Sequence, residues 1–250
     1  MKTIKKGIKV LNILSENNEG LTTSEISDKV NINKSTVSRI LKTYEKEGYV
    51  YKGSHHKYEL DLGLLKLTGK LFEKYEIIHE AIPYMVDLLN KIGHRIYLGV
   101  LWRDQVINLY HIHNTDNSLY DLNIENGAPL HTSSLSKVIL AFSDEKDIRE
   151  LLSNTSMKKF TQNTITDIDE FIDELKKVKE NGYAINDCEH LSEVRSVATP
   201  IKNYEGKVIA GVAVADKSLT LKKIKKIIPK LKSYSKKISF SLGYNSESII

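Results

Sequence analysis

The chain has 250 residues, 40% of them hydrophobic and 28% charged, and carries a formal net charge of +5. These proportions are ordinary for a globular protein, and no stretch reaches the roughly 18 consecutive apolar residues of a membrane helix, so disordered, fibrous and membrane-spanning proteins are excluded. The single cysteine excludes an internal disulfide and any multi-cysteine metal site.

The N-terminal residues predict a first helix that ends near Glu16. The apolar positions expected on its buried face are Ile4, Ile8, Leu11 and Leu14. The same segment has neither the uninterrupted apolar core nor the small-residue cleavage site of a signal peptide. We therefore expect a cytoplasmic protein.

Two further helices are predicted, with a short connection between them. Thr22–Glu25 has the sequence of a capping box, in which a hydroxyl and a carboxylate satisfy free backbone N–H groups, and it begins a helix that continues to Val30. Residues 31–33 connect it to a third helix, Lys34–Glu47, which Gly48 ends. The residues expected to pack inward from this third helix are Val37, Ile40, Leu41 and Tyr44.

A hairpin is predicted next, because Tyr49–Tyr51 and Tyr58–Leu60 are short strand-like segments on either side of a basic, polar tip. Three helices followed by such a wing are typical of a winged helix-turn-helix, whose third helix enters the major groove of DNA. The predicted DNA-binding residues are Lys34, Ser35, Thr36, Ser38, Arg39 and Lys42 on the helix, and His55, His56 and Lys57 at the wing tip. The alternative is a helical head that contacts protein.

The charge is distributed unevenly along the chain. Residues 1–60 carry 11 Lys or Arg and 7 Asp or Glu, and residues 220–240 carry 8 Lys and no acid, so the remainder is acidic. A basic head on an acidic remainder fits a nucleic-acid-binding module joined to a domain with another task. The C-terminal lysines lie on the polar side of an amphipathic helix that Pro229 would kink or split, and either solvent or a phosphate or partner could contact them.

The rest of the chain predicts an α+β domain with one antiparallel sheet and helices packed on it. A helical linker begins at Leu62, and a helix over about 77–92 accepts Pro83 in its first turns. A later helix begins with a capping box at Thr166–Asp169 and ends at Gly182. The predicted strands are residues 95–102, 105–113, 119–124, 194–201 and 208–215.

Several segments together resemble the IclR family of bacterial transcriptional regulators. They are GLTTSEISDKVNINKSTVSRILKTYEKEGYV, YELDLGLLKLTG, and the blocks at residues 127–141, 182–190 and 194–214. The resemblance implies a winged helix-turn-helix over residues 1–61, a linker helix over 62–76 and a GAF-like effector-binding domain over 77–250. It also implies homodimers or homotetramers that bind pseudo-palindromic double-stranded DNA operators under the control of a small-molecule effector.

The same resemblance places the effector against seven positions of this sequence: Ser133, Ser134, Leu135, Asn186, Ser196, Ala213 and Ala215. Several residues depart from the family pattern: Asn186 stands where Asp is common, Ser196 where Cys is common, Ser136 and Glu193 where Gly is usual, and Ala213 and Ala215 where Ser is common. Methyl groups in place of hydroxyls remove hydrogen-bond donors, and a helix beginning at Ser133–Ser134 favours a carboxylate. We expect an effector that bears a carboxylate or is partly apolar.

Enzyme chemistry is not indicated. The sequence has no G-x-S-x-G elbow, no phosphate-binding G-x-x-x-x-G-K-[ST] loop and no H-E-x-x-H motif. Cys188 with His190, and His111 with His113, are pairs too small to define a nucleophilic or a metal site. We therefore expect an effector-controlled regulator with no catalytic residue, metal or cofactor and no membrane contact, the alternative being a sensory or enzymatic domain whose head binds protein.

Overall fold

The computed structural model describes residues 2–113 and 128–245. It divides the chain into two units, Met1–Tyr75 and Glu76–Ile250, and each is described by itself. The elements of the first unit are α1 (Lys2–Ser15), α2 (Thr23–Val30), α3 (Lys34–Lys46), β1 (Val50–Lys52), β2 (Tyr58–Leu60) and α4 (Leu65–Lys74).

The buried face of α1 differs in part from the predicted one. Leu14 is buried as predicted, but Ile4 and Ile8 are 70% and 53% exposed, and Gly7 and Val10 are buried instead. The reason is close packing at Gly7, where a Cβ atom would clash with the Tyr44 hydroxyl. A glycine carries no apolar signal, so the periodicity favoured the neighbouring stripe of the helix.

The connections around α2 and α3 form as predicted. Glu25 N–H donates to Thr22 Oγ1 (3.3 Å) and Thr22 N–H donates to the Glu25 carboxylate (2.7 Å), which completes the capping box. The hydrogen bonds from Thr22 hold the pKa of Glu25 below its usual value. Asn31 ends α2 in the left-handed region (φ 52°), and Asn33 caps α3 by accepting a 2.9 Å hydrogen bond from Ser35 N–H.

The wing is an antiparallel pair with Val50 opposite Leu60 and Lys52 opposite Tyr58. A single 3₁₀ turn, Ser54–His56, forms its tip. The segment before α2 joins the wing, because Leu21 and Tyr58 exchange backbone hydrogen bonds of 3.0 and 2.8 Å. The wing is therefore fixed to the same small core as α3.

The second unit is a five-stranded antiparallel sheet with helices packed on it, in the strand order β4-β3-β7-β6-β5. This confirms the α+β fold class. Its elements are α5 (Glu76–Ile92), β3 (Ile96–Trp102), β4 (Gln105–Ile112), α6 (Ser134–Leu140), α7 (Glu145–Ser153), α8 (Ile168–Asn181), β5 (Ala184–Asp187), β6 (Arg195–Lys202), β7 (Val208–Asp216) and α9 (Leu221–Ser241). The predicted strand at 119–124 lies outside the described residues.

The predicted helix at about 77–92 forms as α5, with Pro83 inside it. Pro229 does not split α9, which continues through it as one helix, so that alternative of the prediction is wrong. The cap of α8 is Asp167, whose carboxylate accepts a 2.9 Å hydrogen bond from Glu170 N–H, so the cap lies one residue after the predicted Thr166 and the helix begins at Ile168. Helix α7 has no counterpart among the predicted elements.

Helix α6 lies close to the sheet because two strands carry glycine beneath it. A Cβ atom at Gly99 or at Gly211 would lie 2.9 Å from a methyl group of Leu135. Leu135 therefore packs directly onto the backbones of β3 and β7. This contact fixes the start of α6 above the middle of the sheet.

Candidate functional site

The predicted DNA-binding residues of α3 form a polar surface at its N-terminal half. Lys34, Ser35, Arg39 and Lys42 are exposed, and Thr36 and Ser38 are half-buried. Val37 and Leu41, on the opposite side, are fully buried, which fixes the orientation of the helix. Asn33 Oδ1 accepts hydrogen bonds from both the backbone N–H (2.9 Å) and the hydroxyl (2.8 Å) of Ser35.

The cations of this surface are available for an external ligand. Lys34, Arg39 and Lys42 form no ion pair with the described residues, although the backbone carbonyl of Arg39 accepts a 3.0 Å hydrogen bond from Thr43. An exposed guanidinium can contact a guanine edge through two hydrogen bonds, and an ammonium can contact phosphate as a point charge. Short side chains beside these cations permit close approach to a groove.

The wing tip adds further polar groups. His55 and His56 are exposed, with φ values of 54° and 58° in the left-handed region. Lys57 is half-buried, with its ammonium 4.0 Å from the Glu19 carboxylate. Lys52, which is not among the predicted contacts, is exposed and lies 5.7 Å from the centre of the Tyr58 ring. The tip therefore presents two imidazoles and two ammonium groups.

In the second unit, a cavity of about 250 Å³ lies between the start of α6 and the sheet. Its lining includes all seven residues predicted to contact an effector, namely Ser133, Ser134, Leu135, Asn186, Ser196, Ala213 and Ala215. They come from α6 and its cap and from three adjacent strands. In the register of those strands, Asn186 lies opposite Ser196, and Ser196 lies opposite Ala215.

In this cavity, which we call the effector cavity after that prediction, the polar side chains of Ser134, Ser196 and Asn186 form hydrogen bonds. The hydroxyls of Ser134 and Ser196 form a 2.7 Å hydrogen bond with each other. Asn186 Oδ1 accepts a 2.7 Å hydrogen bond from Glu189 N–H, while the amide Nδ2 donates to none of the described residues. Leu135 and the two alanines supply methyl groups. The seven predicted residues thus supply methyl groups and one amide donor that has no partner among the described residues.

Sequence reasoning missed half of the cavity lining. The additional residues are Tyr97, Val106, Asn108, Ala128, His190, Leu191 and Val194. Strand alternation could have indicated Tyr97, because it lies directly opposite Ala213 across β3 and β7. Burial lowers the pKa of His190, so its imidazole is neutral at pH 7 and can donate or accept a hydrogen bond. An edge-on contact with Phe160 (4.8 Å between ring centres) orients that imidazole.

A buried ion pair lies behind the cavity and supports the loop that carries His190. Lys137 is 1% exposed, and its ammonium lies 2.6 Å from the Glu189 carboxylate and 3.6 Å from Glu174. It also donates a 3.2 Å hydrogen bond to the carbonyl of Ile185. Burial raises the pKa of Glu189, and Lys137 opposes this effect. The pair joins α6 to the strand and loop on which Asn186 and His190 lie.

The two pairs judged too small to define a site, Cys188 with His190 and His111 with His113, both lie in the second unit. Among residues 2–113 and 128–245, no group of three His, Cys, Asp or Glu side chains could hold a metal ion. Cys188 is buried, and His111 and His113 stack with their ring centres 5.9 Å apart. No helix in the described parts of the chain is long and apolar enough to span a membrane.

Comparison with known proteins gives two family matches that follow the order of the units. Residues 3–54 match the IclR helix-turn-helix domain, and residues 69–240 match the C-terminal part of bacterial IclR transcriptional regulators. The chain is 30% identical to the HTH-type transcriptional regulator KdgR of Escherichia coli (strain K12), over 98% of this chain and 94% of that one. It is 26% identical to the glycerol operon regulatory protein of Streptomyces coelicolor, over 86% and 84%.

Solved structures show the same fold. The IclR of Thermotoga maritima superposes with a TM-score of 0.78 at 26% identity, covering 98% of this chain and all of that one. An IclR homologue from Microbacterium hydrocarbonoxydans, in complex with 4-hydroxybenzoate, superposes with a TM-score of 0.82 at 20% identity, covering 96% and 98%.

Proposed function

The chain belongs to the IclR family of bacterial transcriptional regulators, and from this premise we propose that a small molecule in the effector cavity controls its affinity for an operator. The observation that carries the proposal is that all seven predicted effector residues line one cavity, in a chain whose other unit presents an unpaired basic recognition surface. A sensing unit and a DNA-binding unit are the two parts that such control requires.

The DNA contacts follow from the exposed groups of α3 and the wing. Helix α3 enters the major groove, where Arg39 reads a base edge and Lys34 and Lys42 contact phosphates. Ser35, Thr36 and Ser38 allow the helix backbone to approach the bases. The wing tip, with His55, His56 and Lys57, contacts the adjacent sugar-phosphate backbone.

The cavity suits a small, partly apolar organic acid. Its volume of about 250 Å³ suits a small ligand, and the methyl groups of Leu135, Ala213 and Ala215 suit an apolar part of that ligand. The free amide of Asn186 and the neutral imidazole of His190 can hydrogen-bond a carboxylate or hydroxyl, and Tyr97 offers a ring to an aromatic effector. 4-Hydroxybenzoate, which the Microbacterium homologue binds, is a compound of this class.

The protein acts as a homo-oligomer, a dimer or a tetramer. The first unit leaves several large apolar side chains in solvent, and a second copy of the chain is the partner that would cover them: Ile4, Ile8, Leu62, Leu65 and Leu67. Two symmetry-related heads read a pseudo-palindromic operator with half-sites about one helical turn apart. These apolar side chains are therefore expected to lie in the contact that holds the two DNA-binding heads together.

Control by the effector is a shift between arrangements of the paired heads. A ligand that prefers one arrangement changes operator affinity by its coupling energy, typically about 1–3 kcal/mol, which corresponds to about 5- to 150-fold. The protein performs this function in the cytoplasm, without catalysis, cofactor or membrane contact. The relatives reported above are likewise named as regulators.

Selection of bound duplexes from a random-sequence DNA pool, at about physiological salt, tests the proposal. We expect an enriched inverted repeat for the wild-type protein and none for the Lys34→Ala/Arg39→Ala variant. Folded protein that enriches no sequence, alone or with added bacterial metabolites, would support the protein-contact alternative instead.

A further inference from the structure

The second unit contains another concavity, which shares no lining residue with the effector cavity. Its volume is about 1090 Å³, and it lies between the C-terminal halves of α8 and α9 and the end of β6. We call it the lysine groove, after the five lysines that line it: Lys179, Lys202, Lys232, Lys236 and Lys237.

The positive charge of the lysine groove is largely uncompensated. No Asp or Glu is among its described lining residues, and residues 220–240 contain no acid at all. Asp87 on α5 pairs with Lys91, and Lys237 also lowers the pKa of this carboxylate, so Asp87 partly compensates that one lysine. The other four lysines form no ion pair with any described residue. Several ammonium groups around one concavity attract an anion.

Two of these ammonium groups are held in place before any ligand arrives. Lys202 lies over two aromatic rings, 5.5 Å from the centre of Phe142 and 5.2 Å from that of Tyr244. Lys232 donates a 2.5 Å hydrogen bond to the carbonyl of Asn181 at the end of α8. Both side chains are half-buried. Because their conformations are already restricted, contact with an anion costs less side-chain entropy than it would for free lysines.

We propose that the lysine groove binds a small ligand with clustered phosphate groups, such as a nucleoside triphosphate. Lysine contacts phosphate as a compact charge, and five lysines around one concavity match a chain of several phosphates better than a single carboxylate. Phe240, which also lines the groove, is 70% exposed and offers a ring on which a planar base can stack. The site is distinct from the effector cavity and would bind its ligand whether or not operator binding is effector-controlled.

Titration calorimetry with the full-length protein at about physiological salt, using tripolyphosphate and ATP as probes, tests this proposal. The test variant is Lys179→Gln/Lys236→Gln, because both side chains are exposed and neither is held by the fold. The matched control is Lys225→Gln/Lys226→Gln, which removes the same charge from exposed positions of α9 outside the groove. We expect the test variant to bind at least about tenfold more weakly than the control.

The two probes separate the sources of the phosphate group. Tighter binding of ATP than of tripolyphosphate would assign the site to a nucleotide, and equal binding would assign it to the phosphate chain alone; both support the proposal. An equal loss in the two double variants would show a general charge effect and overturn it. It would also be overturned if neither probe bound the wild-type protein. The same holds if the test variant bound both probes as tightly as the control and lost affinity only for double-stranded DNA.

Discussion

Replacing Arg39 with alanine separates base reading from phosphate contact on α3. The side chain is exposed and forms no ion pair with the described residues, so its removal leaves no unpaired group inside the protein. The free energy of unfolding should therefore change by no more than about 0.5 kcal/mol. Any large loss of DNA affinity then reports the contact with DNA itself.

The size of that loss distinguishes the two kinds of contact. A bidentate contact with guanine contributes about 1–3 kcal/mol of discrimination, so affinity for the selected operator should fall about 5- to 150-fold. Affinity for an unrelated duplex of the same length should fall less than about fivefold, because the variant loses only one positive charge near the DNA phosphates. Fluorescence anisotropy with both duplexes, at several salt concentrations, measures the two losses.

Lys46→Ala is the matched control. It removes one exposed positive charge from the other end of the same helix, and we expect similar, small losses on both duplexes. If Arg39→Ala weakens the operator and the unrelated duplex by the same factor, Arg39 contacts phosphate alone. The assignment of base reading to this residue would then be refuted.

Three further predictions concern stability and assembly. Lys137→Met should lower the free energy of unfolding by about 3–5 kcal/mol in urea titrations, because it leaves the buried Glu189 carboxylate unpaired, and Lys137→Met/Glu189→Met should recover part of that loss. Burial lowers the pKa of His131 in the folded state, so the unfolded chain binds more protons and stability should fall as pH falls below about 6.5; His131→Gln should flatten this dependence, and an unchanged slope would count against it. Ile4→Glu/Ile8→Glu should shift the sedimentation equilibrium of the protein toward smaller species, and an unchanged mass would place the interface elsewhere.

Local signals in the sequence predict most elements of the first unit correctly. The Thr22–Glu25 capping box and the alternation in the wing each act over a few residues, and both are found in the structure. The buried face of α1 could not be predicted in the same way. It depends on the fit of Gly7 against Tyr44, a contact between residues far apart in the chain.

Local sequence signals predict the effector cavity even less well than the buried face of α1. Family resemblance brought together its seven predicted residues, which periodicity could not have done because they lie on separate strands and a helix. His190 and Tyr97 were missed, since their place in the wall depends on sheet register and on a loop. Nothing in the sequence marks Lys137 as buried, because a lysine becomes a core residue only when Glu189 is beside it.

The most direct test of the account is operator affinity measured across a panel of small carboxylic acids, 4-hydroxybenzoate included, for the wild-type protein and Ala213→Leu. The added side chain would fill part of the 250 Å³ effector cavity, while the DNA-binding residues stay intact. The account predicts that at least one acid changes wild-type operator affinity about 5- to 150-fold and leaves the variant unchanged, with DNA binding itself retained. An equal response of both proteins would contradict the claim that this cavity controls DNA binding.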